Sequence, residues 1–118
     1  MKGDHLGEFE ELVLLAVRGL GALRATGAAI QEVLEEQAGR RVSLGAIYAA
    51  LDRGERKGLV DSWLGEPLPE PGGRRRRHYA VTEEGKSAVR ESRRVRESLW
   101  RSHADHPPFP KGCSSAYP

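Results

Sequence analysis

Residues 43 to 58 read Ser43-Leu-Gly-Ala-Ile-Tyr-Ala-Ala-Leu-Asp-Arg-Gly-Glu-Arg-Lys-Gly58, and the organisation of the chain follows from them. Ser43 suits a helix N-cap, because its hydroxyl can accept a bond from an unpaired N–H of the first turn. Leu44, Ile47 and Leu51 recur at i, i+3 and i+7, which predicts one face turned to a core. Gly58 suits the left-handed conformation that ends a helix. On the other side, Gly45, Ala46 and Ala49 are small and surround one aromatic, Tyr48. A slim, nearly uncharged helix front can approach another surface closely, and the floor of a DNA major groove is such a surface.

Upstream, Leu6 to about Leu23 predicts a first helix. Asp4 is its expected cap, and Glu8, Glu10 and Glu11 favour its positive end. Phe9, Leu12, Val13, Ala16, Val17, Leu20 and Leu23 form a broad apolar stripe, while Gly19 and Gly21 weaken the last turn. Thr26 caps a second helix in which Ile30, Val33, Leu34 and Ala38 recur at helical spacing and which Gly39 closes. Two short helices joined by Arg40-Arg41-Val42, the second with a slim outer face, form a helix-turn-helix pattern.

Beyond Gly58 the period changes. Leu59-Val-Asp-Ser-Trp-Leu64 predicts a strand. Gly65 to Gly73 holds three prolines, which excludes a helix or a central strand there. Arg74-Arg-Arg-Arg-His-Tyr-Ala-Val81 predicts a second strand with Tyr79 and Val81 on one face. Strand, tip and basic strand make a β-hairpin directly behind the slim helix, the wing of a winged helix. Thr82 then caps a last helix running to about His103, on which Ala88, Ser92, Val95 and Leu99 form an apolar seam flanked by Val89 and Trp100. Residues 105–118 hold four prolines and no periodicity, which predicts a disordered tail.

The fold expected is therefore mainly α with a small β-hairpin: a winged helix-turn-helix domain over residues 1–82, plus a C-terminal dimerisation helix over 83–104. At 118 residues the chain suffices for one modest core. Its net charge of +2 says little, but the distribution is uneven. Residues 1–60 carry 8 basic against 9 acidic side chains, residues 61–118 carry 11 against 8, and four of those eleven are Arg74 to Arg77. Binding of nucleic acid would rest on that local patch. There is no apolar run of about 20 residues that a membrane span needs, the acidic N-terminus does not read as a signal peptide, and the lone Cys113 fits a reducing compartment. A cytoplasmic protein is expected.

With these elements in order, the sequence resembles the PadR family of bacterial transcriptional regulators. The resemblance covers about Leu6 to Leu99. It rests on Leu12-Val-Leu-Leu-Ala16, the Ser-x-Gly-x-x-Tyr-x-x-Leu run of Ser43 to Leu51, Lys57-Gly-Leu-Val60, and Arg77-His-Tyr-Ala-Val-Thr-Glu-Glu-Gly-Lys86. It implies a homodimer on double-stranded operator DNA, usually a repressor released by a small molecule. By position, Ser43, Gly45 and Tyr48 match the start of the recognition helix and Arg74 to His78 match the wing. The chain departs from the family pattern at Leu44, where Pro is common, at Ala28, where Tyr is common, at Ala46 for Thr, and at Gly54 for Leu. The last is expected to leave a gap in the core face.

The DNA-facing residues expected are Ser43, Gly45, Ala46, Tyr48, Arg53, Arg74, Arg75, Arg76, Arg77 and His78. Phe9, Val89, Ser92, Val95, Leu99 and Trp100 are expected at a dimer seam, where Trp100 offers a place for a small, flat, apolar effector. His103, Asp105, His106 and Cys113 match no zinc spacing, so no metal or other cofactor is expected. With no glycine-rich phosphate loop after a strand and no Gly-x-Ser-x-Gly elbow, nothing points to catalysis. The competing reading is a winged-helix protein-interaction module that no longer reads DNA. Glu32, Glu35 and Glu36 on the second helix favour it, and the four-arginine wing speaks against it.

Overall fold

The structure, a computed structural model, describes residues 6–104. The expected cap Asp4 and the tail 105–118 lie outside them. In chain order the elements are α1 (Glu8–Leu20), α2 (Gly27–Ala38), α3 (Leu44–Arg56), β1 (Val60–Pro67), β2 (Arg75–Val81) and α4 (Glu83–Ala104). Among the described residues the protein is mainly helical with one two-stranded antiparallel hairpin, as expected.

Three caps do what their side chains predict. Thr26 Oγ1 accepts from the Ala29 N–H and Ser43 Oγ from the Ala46 N–H, each fixing the first turn of its helix. Thr82 Oγ1 accepts from the Gly85 N–H while its own hydroxyl donates to the Gly58 carbonyl at 2.7 Å. The Thr82 N–H adds a bond to the Leu59 carbonyl at 2.9 Å, so one residue both starts α4 and pins it to the turn after α3. Gly85 is required in that arrangement, because a Cβ there would collide with the Leu59 carbonyl. Gly39 and Gly58, at φ 64° and 78°, end α2 and α3 in the left-handed region.

The first helix differs from expectation. It spans Glu8–Leu20, with Gly7 as N-cap and the Glu10 carboxylate accepting from the Gly7 N–H at 3.3 Å. It stops at Leu20 because Gly21 leaves helical space at φ 85°. Leu23, counted in the apolar stripe, is thereby placed in a turn and is exposed.

Val13 and Val17 of α1, Ile30 of α2, Ile47 and Leu51 of α3 and Val60 of β1 are the largest fully buried side chains. Each buried aliphatic contributes about 1.5–3 kcal/mol relative to exposure. Leu44 does not join them. It is 39% exposed, because the first turn of α3 projects past the core. Nor does Gly54 leave a gap: the Val60 side chain occupies the space, with Cγ2 3.3 Å from where a Cβ would stand.

The hairpin pairs Val60 with Val81, Ser62 with Tyr79, Trp63 with His78 and Leu64 with Arg77, then slips before pairing Pro67 with Arg75. The strand thus runs three residues beyond the expected Leu64, and Pro67 is tolerated because a two-stranded sheet has only edges. Tyr79 faces the core, and its N–H bonds to the Ala25 carbonyl at 3.0 Å, tying the wing to the α1–α2 turn. Burial pushes the Tyr79 phenol pKa up, assisted by the neighbouring Tyr48. The last helix is held to the body by Val89, which is buried, and by Arg96, whose Nη2 lies 2.8 Å from the buried Glu11 Oε1. That contact is an ion pair without hydrogen-bond alignment, so the Glu11 oxygen has no hydrogen-bond partner among the described residues.

Candidate nucleic-acid interface

The N-terminus of α2, Tyr48 of α3 and the hairpin enclose an open groove of about 720 Å³. Tyr48 and the Thr26-Gly27-Ala28 turn form one wall, Leu64, Leu68 and Arg74 to Arg77 the other. The Tyr48 ring lies across the first turn of α2. A Cβ on Gly27 would fall 2.6 Å from Tyr48 Cζ, so Gly27 is what lets the ring lie there. The ring remains 45% exposed and borders the groove.

Along α3, Ser43, Gly45 and Ala46 are exposed, and the Ser43 hydroxyl is occupied by the cap bond to Ala46. Arg53 is directed elsewhere. Its Nε donates to Glu10 Oε2 at 2.9 Å, and Lys57 Nζ donates to Glu10 Oε1 at 3.3 Å. Glu10 thus ties the start of α1 to the end of α3. Burial alone would raise its pKa, but the bonds from Arg53, the Gly7 N–H and Lys57 outweigh that and hold it below the ordinary glutamate value.

On the wing, Arg74, Arg75 and Arg76 are exposed, and no carboxylate among the described residues pairs with them. Arg77 is partly engaged: its Nη1 donates to Ser62 Oγ at 3.0 Å, and that hydroxyl donates to Glu55 Oε2 at 2.8 Å. His78 is turned away from the groove. It stacks on Trp63 with ring centroids 5.9 Å apart and planes 18° apart, and its Nδ1 is buried without a partner among the described residues. Alternation along β2 explains this, because Tyr79 and Arg77 share the body side and His78 takes the opposite one.

The second expected set is also divided. Val89, at 7% exposure, belongs to the chain's own core. Phe9 is half-buried beneath the Arg40 guanidinium, 5.7 Å from the ring centroid. Ser92 is half-buried, whereas Val95 and Leu99 are exposed and Trp100 is 72% exposed. A second concavity, about 570 Å³ between α1 and α2, takes in none of the six. Among the described residues no group of three or more His, Cys, Asp or Glu could hold a metal, and no helix is long and apolar enough to cross a membrane.

Sequence reasoning left out Asp52 and Arg56. They continue the line Gly45, Ala49 down the outer side of α3 at spacings of four, three and four, and lie exposed beside one another. The same helical arithmetic that found the core face would have found them, applied to the opposite side.

A winged helix-turn-helix with an exposed reading helix and a basic wing defines a DNA-binding regulator class. The family model described as the transcriptional regulator PadR-like family matches residues 19–91, and the chain belongs to that family. No curated protein gave a match. Among solved structures, a PadR-like transcription factor from Bacteroides fragilis aligns at 23% identity and a TM-score of 0.67, covering 81% of this chain and 86% of that one. A PadR family regulator from Clostridium difficile R20291 aligns at 25% identity and 0.61, covering 83% and 92%. The complex hsRosR-S1 aligns at 34% identity and 0.62, covering 85% and 80%.

Proposed function

We propose that this transcriptional regulator is a homodimeric repressor that binds a roughly palindromic operator and is released by a small, flat, apolar effector. It acts in the cytoplasm, where its DNA is. The observation that carries the reading is the exposure of Arg74, Arg75 and Arg76, which no carboxylate among the described residues pairs with, across a groove from Tyr48. Cations on a wing meet phosphates or the adjacent minor groove while the slim front of α3, with Ser43, Gly45, Ala46 and Tyr48, enters the major groove. Arg77 contributes from the base of the wing. Arg53 and His78 act within the fold instead, holding α3 to α1 and bracing the hairpin.

Exposed Val95, Leu99 and Trp100 on an otherwise charged helix support pairing of two α4 helices, with Trp100 as the effector's contact. Two-fold pairing sets half-sites about one helical turn, or a multiple of it, apart. An effector at that seam would release DNA by changing the separation of the two reading heads.

The test is an anisotropy titration with DNA from upstream of the protein's own gene, with random duplex as competitor. Saturable binding that survives the competitor is expected. Failure to bind any duplex at low salt would replace this reading with the protein-interaction one.

A further inference from the structure

This inference rests on the DNA-binding reading and concerns which side chains read bases. Direct readout in the major groove needs donors and acceptors on the outer side of the helix. The first two turns of α3 supply almost none. Gly45, Ala46 and Ala49 have no polar side-chain atom, and the Ser43 hydroxyl is committed to the Ala46 N–H. Further along, Arg53 and Lys57 are held by Glu10. Besides Tyr48, which lies over Gly27, the polar groups left on the outer line are Asp52 and Arg56.

They form an i,i+4 pair in which Arg56 Nη1 donates to Asp52 Oδ2 at 2.8 Å, with both side chains about two-thirds exposed. As a helix-stabilising device such an exposed pair contributes little. A carboxylate on a surface that meets a polyanion is repelled unless it finds a donor. In the major groove its donors are the exocyclic amines, above all N4 of cytosine, while guanine offers O6 and N7 as acceptors only. The guanidinium has the opposite need and matches guanine with two parallel bonds. With Nη1 anchored on Asp52, Nε and Nη2 of Arg56 stay available in a fixed plane. A C·G pair presents the donor and the acceptors side by side, and one helical turn of about 5.4 Å spans fewer than two base steps of about 3.4 Å.

We infer that Asp52 and Arg56 are the base-reading pair of α3, selecting a C·G base pair in each half-site, with Asp52 rejecting bases that present acceptors alone.

The experiment is selection from a random duplex pool by wild-type protein, Asp52→Asn and Arg56→Lys, followed by titration of the selected duplexes. Wild type should enrich a symmetric motif with one C·G pair per half-site and discriminate there by about 5- to 150-fold. Asp52→Asn should move that position toward adenine, leave the other positions unchanged and tighten binding to random duplex, since a negative charge is lost. Arg56→Lys should keep the salt dependence and lose the guanine preference. Circular dichroism and thermal midpoints should not change, because the pair is exposed. A motif identical in wild type and both variants overturns the inference and leaves DNA binding standing. A wild type that enriches no sequence overturns the sequence-specific reading and the inference with it.

Discussion

Tyr48 shows how a single side chain can be placed by the absence of another. Its ring crosses the first turn of α2 because residue 27 is glycine, and this presents the hydroxyl at the edge of the groove. Tyr48→Phe should therefore leave the thermal midpoint unchanged and weaken operator binding severalfold, the loss of about one hydrogen bond to a phosphate or base. Equal affinity in an anisotropy titration would make the ring a packing element only. Glu10 is the counterpart inside the fold. Its carboxyl is held below the ordinary value, so the folded state binds fewer protons there than the unfolded state. The stability it supplies is complete above the unfolded pKa and is lost as pH falls through the depressed folded value. Glu10→Gln should be less stable than wild type at pH 7 in urea unfolding, and the gap should narrow as pH falls through the depressed folded value. A difference that stays constant as pH falls would mean the side chain acts through packing. The role of Arg53 was illegible for the same reason that Glu10 matters: its partner lies 43 residues away, and no local pattern encodes that distance.

The helices and the wing were largely legible in the chain because each carries its own signals. Thr26, Ser43 and Thr82 cap where hydroxyls should, and Gly39 and Gly58 end helices where left-handed backbone is needed. The basic strand was visible as four consecutive arginines, but which of them a neighbouring side chain engages was not. That depends on the slipped register between Leu64 and Pro67 and on Ser62 capturing Arg77. The end of α1 was misread because the apolar stripe continues to Leu23, whereas Gly21 takes a conformation that stops the helix first. At Gly54 the expected gap depended on nothing else filling it, and Val60 does. Gly54→Leu should therefore destabilise by about 1–3 kcal/mol through overpacking in chemical denaturation. A stabilised variant would show that the space was empty after all.

The chain leaves Val95, Leu99 and Trp100 exposed on α4 while Val89 and Arg96 bind that helix to its own body. Val95 is thus exposed within the stretch that Val89 and Arg96 hold to the body, and Leu99 and Trp100 are exposed beyond it. Val95→Asp with Leu99→Asp should shift the mass in light scattering from dimer to monomer with helical content retained. A dimer that persists would place the pairing surface elsewhere.

If the wing and α3 grip DNA together, the salt dependence of binding must report the wing arginines. Operator affinity is to be measured by anisotropy from low to physiological salt for wild type and for Arg75→Ala/Arg76→Ala. Each phosphate contact contributes about 0.9 to the slope of log affinity against log salt, so the variant's slope should be shallower by about 2. Equal slopes in the two proteins would mean that the wing arginines do not touch the DNA backbone.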